Sequence, residues 1–172
     1  MFESNAARCP IFHALTADER DRVLALMEPH SYPRGETILR EGRSTQSLWI
    51  IAEGQCEVVK SFSDGVDHQL ATLEESAVFG EMSFFHPAPH SASVRALSDV
   101  KLMQFAREEY DRLQASDPEV AYKIVTSMLE LVADRLRRMD EWTAQVFEKP
   151  ENANHREEWR EFRSKLYVDW QF

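Results

Sequence analysis

The chain has 172 residues, 43% of them hydrophobic and 29% charged, and a net charge of −10 at pH 7. That composition excludes wholesale disorder and describes one soluble domain able to bury about 70% of its unfolded surface. The acidic balance opposes direct nucleic-acid contact, no run approaches the roughly 18 apolar residues of a membrane span, and Met1 to Arg8 is no secretory signal, so a cytoplasmic protein is expected.

In chain order, Ile11, Phe12 and Leu15 precede Thr16-Ala17-Asp18-Glu19, a capping box that predicts a helix over 17–28. From residue 31 to 105 the pattern changes to short runs separated by turn residues. The predicted strands are Glu36 to Arg40, Leu48 to Ala52, Cys56 to Phe62, His68 to Leu73, Ser93 to Leu97 and Val100 to Phe105. Strands at that spacing predict a small antiparallel barrel or jelly roll. Cys9 and Cys56 are too few and too far apart for a disulfide framework and read as free thiols. Asp117-Pro118 supplies an N-cap and a first-turn proline for a long helix to about Val146. Val125, Met128, Val132, Leu136, Met139 and Trp142 form an apolar seam along it that predicts a homodimer interface. After the break at Lys149-Pro150, the tail is rich in aromatics (Trp159, Phe162, Tyr167, Trp170, Phe172) and predicts docking on the domain, on a second copy or on another protein. The chain thus divides into residues 1–146 and a tail of 147–172.

The stretch that organises the rest is Val78 to Val94. Gly80 permits close backbone approach, a short helix starting near Met82 directs unpaired N–H groups at an anion, and Glu81 adds an acceptor suited to a sugar hydroxyl. Together these residues describe an anion cradle.

At Phe79-Gly80-Glu81-Met82-Ser83-Phe84 and again at Ser91-Ala92-x-Val94, the chain resembles the cyclic-nucleotide-binding domain family at its phosphate-binding cassette. The runs Gly35 to Gly42 and Leu48 to Gly54 look like that family's opening strands, with Gly35, Gly42, Gly54 and Gly80 at its corner positions. The resemblance implies a double-stranded β-helix barrel with flanking helices. It also implies a cyclic-nucleotide ligand held by Gly80, Glu81, Ser83, Ser91 and Ala92, with Glu81 on the ribose 2′-hydroxyl; the Met82 N–H and His90 complete the candidate ligand-binding set. The family's phosphate-pairing arginine falls at His90, nine residues after Glu81. A neutral imidazole offers one donor and no charge where arginine gives a permanent, two-pronged partner, so weakened phosphate binding is expected. Arg95 should point to the opposite strand face, and Arg43 lies in a loop.

The long helix is similar to the dimer helix of the catabolite-activator branch. That branch places a helix-turn-helix domain after it, for which residues 147–172 are too few, and no recognition-helix pattern replaces it. His86 and His90 are separated by Pro87 and Pro89, which breaks the helix on which such a pair converges on a metal, and no nucleophile-base motif stands out. The expected function is therefore a non-enzymatic sensor or adaptor without metal or cofactor. Two alternatives stand beside it: a ligand-free dimeric scaffold that binds a protein through barrel and tail, and a regulator acting with a separate DNA-binding partner.

Overall fold

The computed structural model describes residues 3–62, 65–148, 157–161 and 164. It divides into two compact units, residues 1–129 and 130–172.

In the first unit, helix α1 (Glu3–Ala6) and a 3-10 turn (Pro10–Phe12) precede α2 (Ala17–Leu24). The capping box forms as expected: the Glu19 N–H donates to Thr16 Oγ1 at 3.3 Å, and Glu19 Oε2 accepts from the Thr16 N–H at 2.8 Å. The helix stops four residues before the expected Glu28. Leu26 and Met27 bond back to Val23 and Leu24 in tight i→i−3 turns, and Pro29 biases Glu28 toward extended backbone. The chain there becomes strand β1 (Glu28–Tyr32), whose first residue is the last of the helix predicted over 17–28.

Strands β2 (Thr37–Leu39), β3 (Ser47–Glu53), β4 (Cys56–Ser61), β5 (Asp67–Leu73), β6 (Val78–Phe79), β7 (Ser93–Ala96) and β8 (Val100–Ala106) complete two four-stranded antiparallel sheets. Their orders are β1-β8-β3-β6 and β2-β7-β4-β5. This is the mainly β, jelly-roll architecture expected. Leu39, Trp49, Ile51, Cys56, Phe79, Val94, Ala96, Val100 and Leu102 form one buried cluster drawn from both sheets. β3 is buried from Ser47 to Ala52, so its outer face needs cover too. α1 packs on β3, and buried Ile11, Phe12, Val23 and Leu24 add to the apolar interior.

Between β6 and β7 lies α3 (Glu81–Phe85), near the expected start. After β8 comes α4 (Arg107–Ser116), which the sequence reading did not anticipate, since Tyr110 and Leu113 are its only buried residues. Phe84 stacks on Phe105 of β8 at 6.1 Å and meets Tyr110 of α4 edge-on at 5.7 Å. Arg107 lies 5.2–5.7 Å over the rings of Phe84, Phe85 and Tyr110, and its Nη1 donates to the Phe84 carbonyl at 3.2 Å. Gln46 Nε2 donates to the same carbonyl at 3.2 Å. These contacts fix α3, and with it the cassette, against the helical side of the barrel.

Helix α5 (Pro118–Glu148) starts where Asp117 accepts from the Val120 N–H at 3.3 Å, as the cap predicted. Its first turns belong to the first unit and bury Val120, Ala121, Ile124 and Met128. From Glu130 it belongs to the second unit, where Phe147 stacks on Trp159 at 5.4 Å. Of the tail aromatics, Phe162, Tyr167, Trp170 and Phe172 lie outside the described residues. No described helix is long and apolar enough to cross a membrane.

Candidate functional site

Gly80 turns the chain from β6 into α3 with a φ of 86°. That left-handed conformation favours glycine, and a Cβ there would also run into the Ser47 carbonyl oxygen of β3. The cassette therefore sits flush against β3 because residue 80 has no side chain. α3 then presents Met82 outward, 67% exposed, and turns Ser83 and Phe84 inward. The i→i−4 ladder of α3 begins with the Phe84 N–H, which donates to the Gly80 carbonyl at 3.2 Å.

His90 is where the structure departs most from expectation. It is only 7% exposed, and both ring nitrogens are occupied: Nδ1 by the Ser83 hydroxyl and Nε2 by the Thr45 hydroxyl, each at 2.7 Å. Its backbone is held as well, the N–H donating to the Arg43 carbonyl at 2.8 Å and the carbonyl accepting from the Gly42 N–H at 2.9 Å. Burial pushes the imidazole below its usual 6.5, so the ring is neutral at pH 7. His90 thus acts as a post joining the 42–45 loop to α3. Its nitrogens are spent on those two hydroxyls.

Ser91 is exposed, with its hydroxyl making a long 3.8 Å contact to Met82 Sδ, while Ala92, Gly80 and Glu81 are half-buried. Ser91 and Met82 are thereby brought together, and Ser83 and His90 form a second, buried pair beneath them. The Ser91 carbonyl accepts from Lys60 Nζ at 2.6 Å, and Lys60 also pairs with Glu41 at 3.2 Å. Sequence reasoning missed Lys60, although its spacing from Cys56 and Val58 in β4 is the signal of a barrel-facing position. Arg95 is occupied elsewhere, donating to Glu57 at 2.6 Å, while its neighbours Val94 and Ala96 face the core.

Along the candidate interface, Met128 is buried within its own chain and Val125 is half-buried. Val132, Leu136, Met139 and Trp142 are 40–64% exposed. The surface seam therefore begins later in the helix than the sequence reading set it. Cys9 and Cys56 are both buried and neither is in a disulfide, and burial pushes the Cys56 thiol up to about 12. No group of three or more metal-ligating side chains occurs among the described residues.

The fold is a two-sheet antiparallel roll with a glycine-led cassette between its sixth and seventh strands. The cyclic nucleotide-binding domain model matches residues 29–117, and the chain belongs to that family. It is 34% identical over 131 residues to the cyclic AMP receptor protein of Thermus thermophilus, covering 76% of this chain and 59% of that protein. It is 28% identical over 113 residues to the cAMP-dependent protein kinase regulatory subunit of Pyricularia oryzae, covering 66% of this chain and 28% of that one. The N-terminal domain of a transcriptional regulator from Streptomyces coelicolor A3(2) superposes with a TM-score of 0.67 at 31% identity, covering 81% of this chain and 94% of that one. The chain thus spans less than two thirds of the length of each of these two curated relatives.

Proposed function

We propose that this protein is a non-catalytic sensor or adaptor that takes a phosphate-bearing ligand, a cyclic nucleotide, at the Gly80–Ala92 cassette. The observation that carries the reading is the cassette itself: Gly80 fitted against the Ser47 carbonyl, the α3 first turn, and the exposed Ser91 hydroxyl beside Met82. The names of the relatives, a cyclic AMP receptor protein and a cAMP-dependent kinase regulatory subunit, point to the same ligand class.

Phosphate binding is weaker here than in an arginine-bearing cassette, because His90 is buried, neutral and engaged at both nitrogens. The missing charge-assisted contact corresponds to about 2–5 kcal/mol, which moves a micromolar site toward the millimolar range. Ligand binding changes the docking of α5 and the 147–172 tail to the extent that it favours one arrangement. Val132, Leu136, Met139 and Trp142 serve a homodimer, and the tail serves a protein partner. The protein works in the cytoplasm and touches neither membrane nor nucleic acid directly, in keeping with its net charge of −10.

The test is a thermal-unfolding screen against cyclic AMP, cyclic GMP, cyclic dinucleotides and linear nucleotides. A site of about 100 μM affinity adds about 1.4 kcal/mol at 1 mM ligand, a rise of about 3–6 °C at this chain length. A selective rise for cyclic nucleotides supports the sensor. A flat response to all of them favours the ligand-free scaffold, for which the exposed apolar seam of α5 is the supporting observation.

A further inference from the structure

The proposed ligand brings a phosphodiester anion to a protein of net charge −10, and the ring at position 90 cannot meet it. A cation must come from elsewhere. Arg95 is paired with Glu57 at 2.6 Å and approaches Asp67 at 3.8 Å. Arg107 lies over the aromatic rings behind α3 and donates to the Phe84 carbonyl. Lys60 differs from both, because its ammonium reaches the cassette backbone itself at the Ser91 carbonyl, 2.6 Å away.

The local strand geometry makes this placement systematic. β4 pairs in unbroken register with β7, Cys56 opposite Ala96 through Val59 opposite Ser93. On the β5 side the register slips between Val58 and Val59, where Ala71 and then Gln69 are the partners, so the extra residue is Leu70 of β5. Alternation along β4 is therefore preserved, and Lys60 follows Cys56 and Val58 on the face that looks into the roll. Its side chain is 37% exposed, so solvent and ligand reach it. An ammonium has three N–H donors. The Ser91 carbonyl and Glu41 Oε1 take two of them, which leaves one for a ligand oxygen.

Resting on the cyclic-nucleotide reading above, we infer that Lys60 is the phosphate-pairing cation of this cassette, with Glu41 as the resident counter-ion that an arriving phosphate must share. Glu41 is itself fixed, its other oxygen accepting from the Ser61 N–H at 3.2 Å and its own N–H donating to Ser93 Oγ at 2.9 Å. The positive charge has moved from the cassette to the neighbouring strand. It now acts as a point charge, without the planar two-pronged match of a guanidinium. Lys60 is thus a specificity-determining residue that selects anionic over neutral nucleosides.

Isothermal titration of the full chain with cyclic AMP tests this, comparing wild type with Lys60→Met, Lys60→Arg and Glu41→Gln, each checked for folding by circular dichroism. Lys60→Met is expected to weaken binding about tenfold or more, since it removes the charge-assisted partner. Lys60→Arg should stay within about threefold because it keeps that charge. Glu41→Gln should tighten binding about threefold or more, because the lysine then has no competing carboxylate. Binding by Lys60→Met within about twofold of wild type overturns the inference and leaves the sensor reading standing. Equal weakening in Lys60→Met and Glu41→Gln also overturns it, since the pair would then serve only to hold the loop. Absence of saturable binding by the wild type removes the sensor reading and this inference together.

Discussion

Replacing His90 with leucine removes both imidazole hydrogen bonds while keeping an apolar body in the slot. The Ser83 hydroxyl lies in a residue only 3% exposed, and left without a partner it costs about 1–3 kcal/mol. Thr45 is exposed, so its hydroxyl turns to water and only the net value of one hydrogen bond is lost, about 0.5–1.5 kcal/mol. The expected destabilisation is about 2–4 kcal/mol by urea unfolding at pH 7.5, followed by tryptophan fluorescence. Ser83→Ala in the His90→Leu background should then cost little, giving a coupling energy of about 1–2 kcal/mol in the double-mutant cycle. The same substitution removes a pH dependence. The folded-state pKa of His90 lies below its usual 6.5, so between the two values the unfolded chain binds more protons. Its contribution to stability is complete above about pH 6.5 and falls as the pH drops through that window. Wild type should therefore lose more stability than His90→Leu between pH 7.5 and pH 5. Additive effects in the cycle, together with identical pH slopes, would refute the assignment of His90 as a buried neutral post.

Gly80→Ala should destabilise the fold by about 1–3 kcal/mol through its positive φ alone, and by more from the encounter with the Ser47 carbonyl, read as a lowered urea midpoint. Thr16→Ala should cost about 1 kcal/mol by removing half of the α2 capping box, measured the same way. Cys56 should resist a thiol-specific reagent at pH 8 in the native protein and react on addition of denaturant, because its thiol is fully buried and pushed up to about 12. Leu136→Asp combined with Trp142→Asp should shift sedimentation toward the monomer while leaving the melting of the barrel within about 1 kcal/mol, as both side chains are more than half exposed.

The elements read correctly from sequence are those whose signals are local. Thr16 and Glu19 specify their own reciprocal bonds, Asp117-Pro118 starts α5, and the glycine-punctuated runs give the β strands, because each depends on residues a few positions apart. β1 was not legible: Glu28-Pro29-His30-Ser31-Tyr32 has no apolar alternation, and it is held as a strand by its partner β8, far along the chain. α4 carries only two buried side chains, and its position comes from the aromatic and Arg107 contacts with α3. The cassette residues Gly80 to Phe85 were legible because glycine, helix start and apolar anchor fall in one run. The orientation of His90 was not, since it depends on Thr45, 45 residues away in sequence and brought near by the 42–45 loop. Lys60 was passed over for a similar reason. Its spacing from Cys56 and Val58 marks its face of β4, but its contact with Ser91 spans 31 residues, and no local pattern shows that partner.

The most direct measurement is an amide-resolved NMR titration of the full chain with cyclic AMP. The account predicts saturable shifts centred on Gly80, Glu81, Met82, Ser91 and Ala92, with Lys60 and Glu41 moving along the same binding curve and the His90 ring still bonded to Ser83 and Thr45. Saturation without perturbation of those amides, or no shift at millimolar ligand, would contradict it.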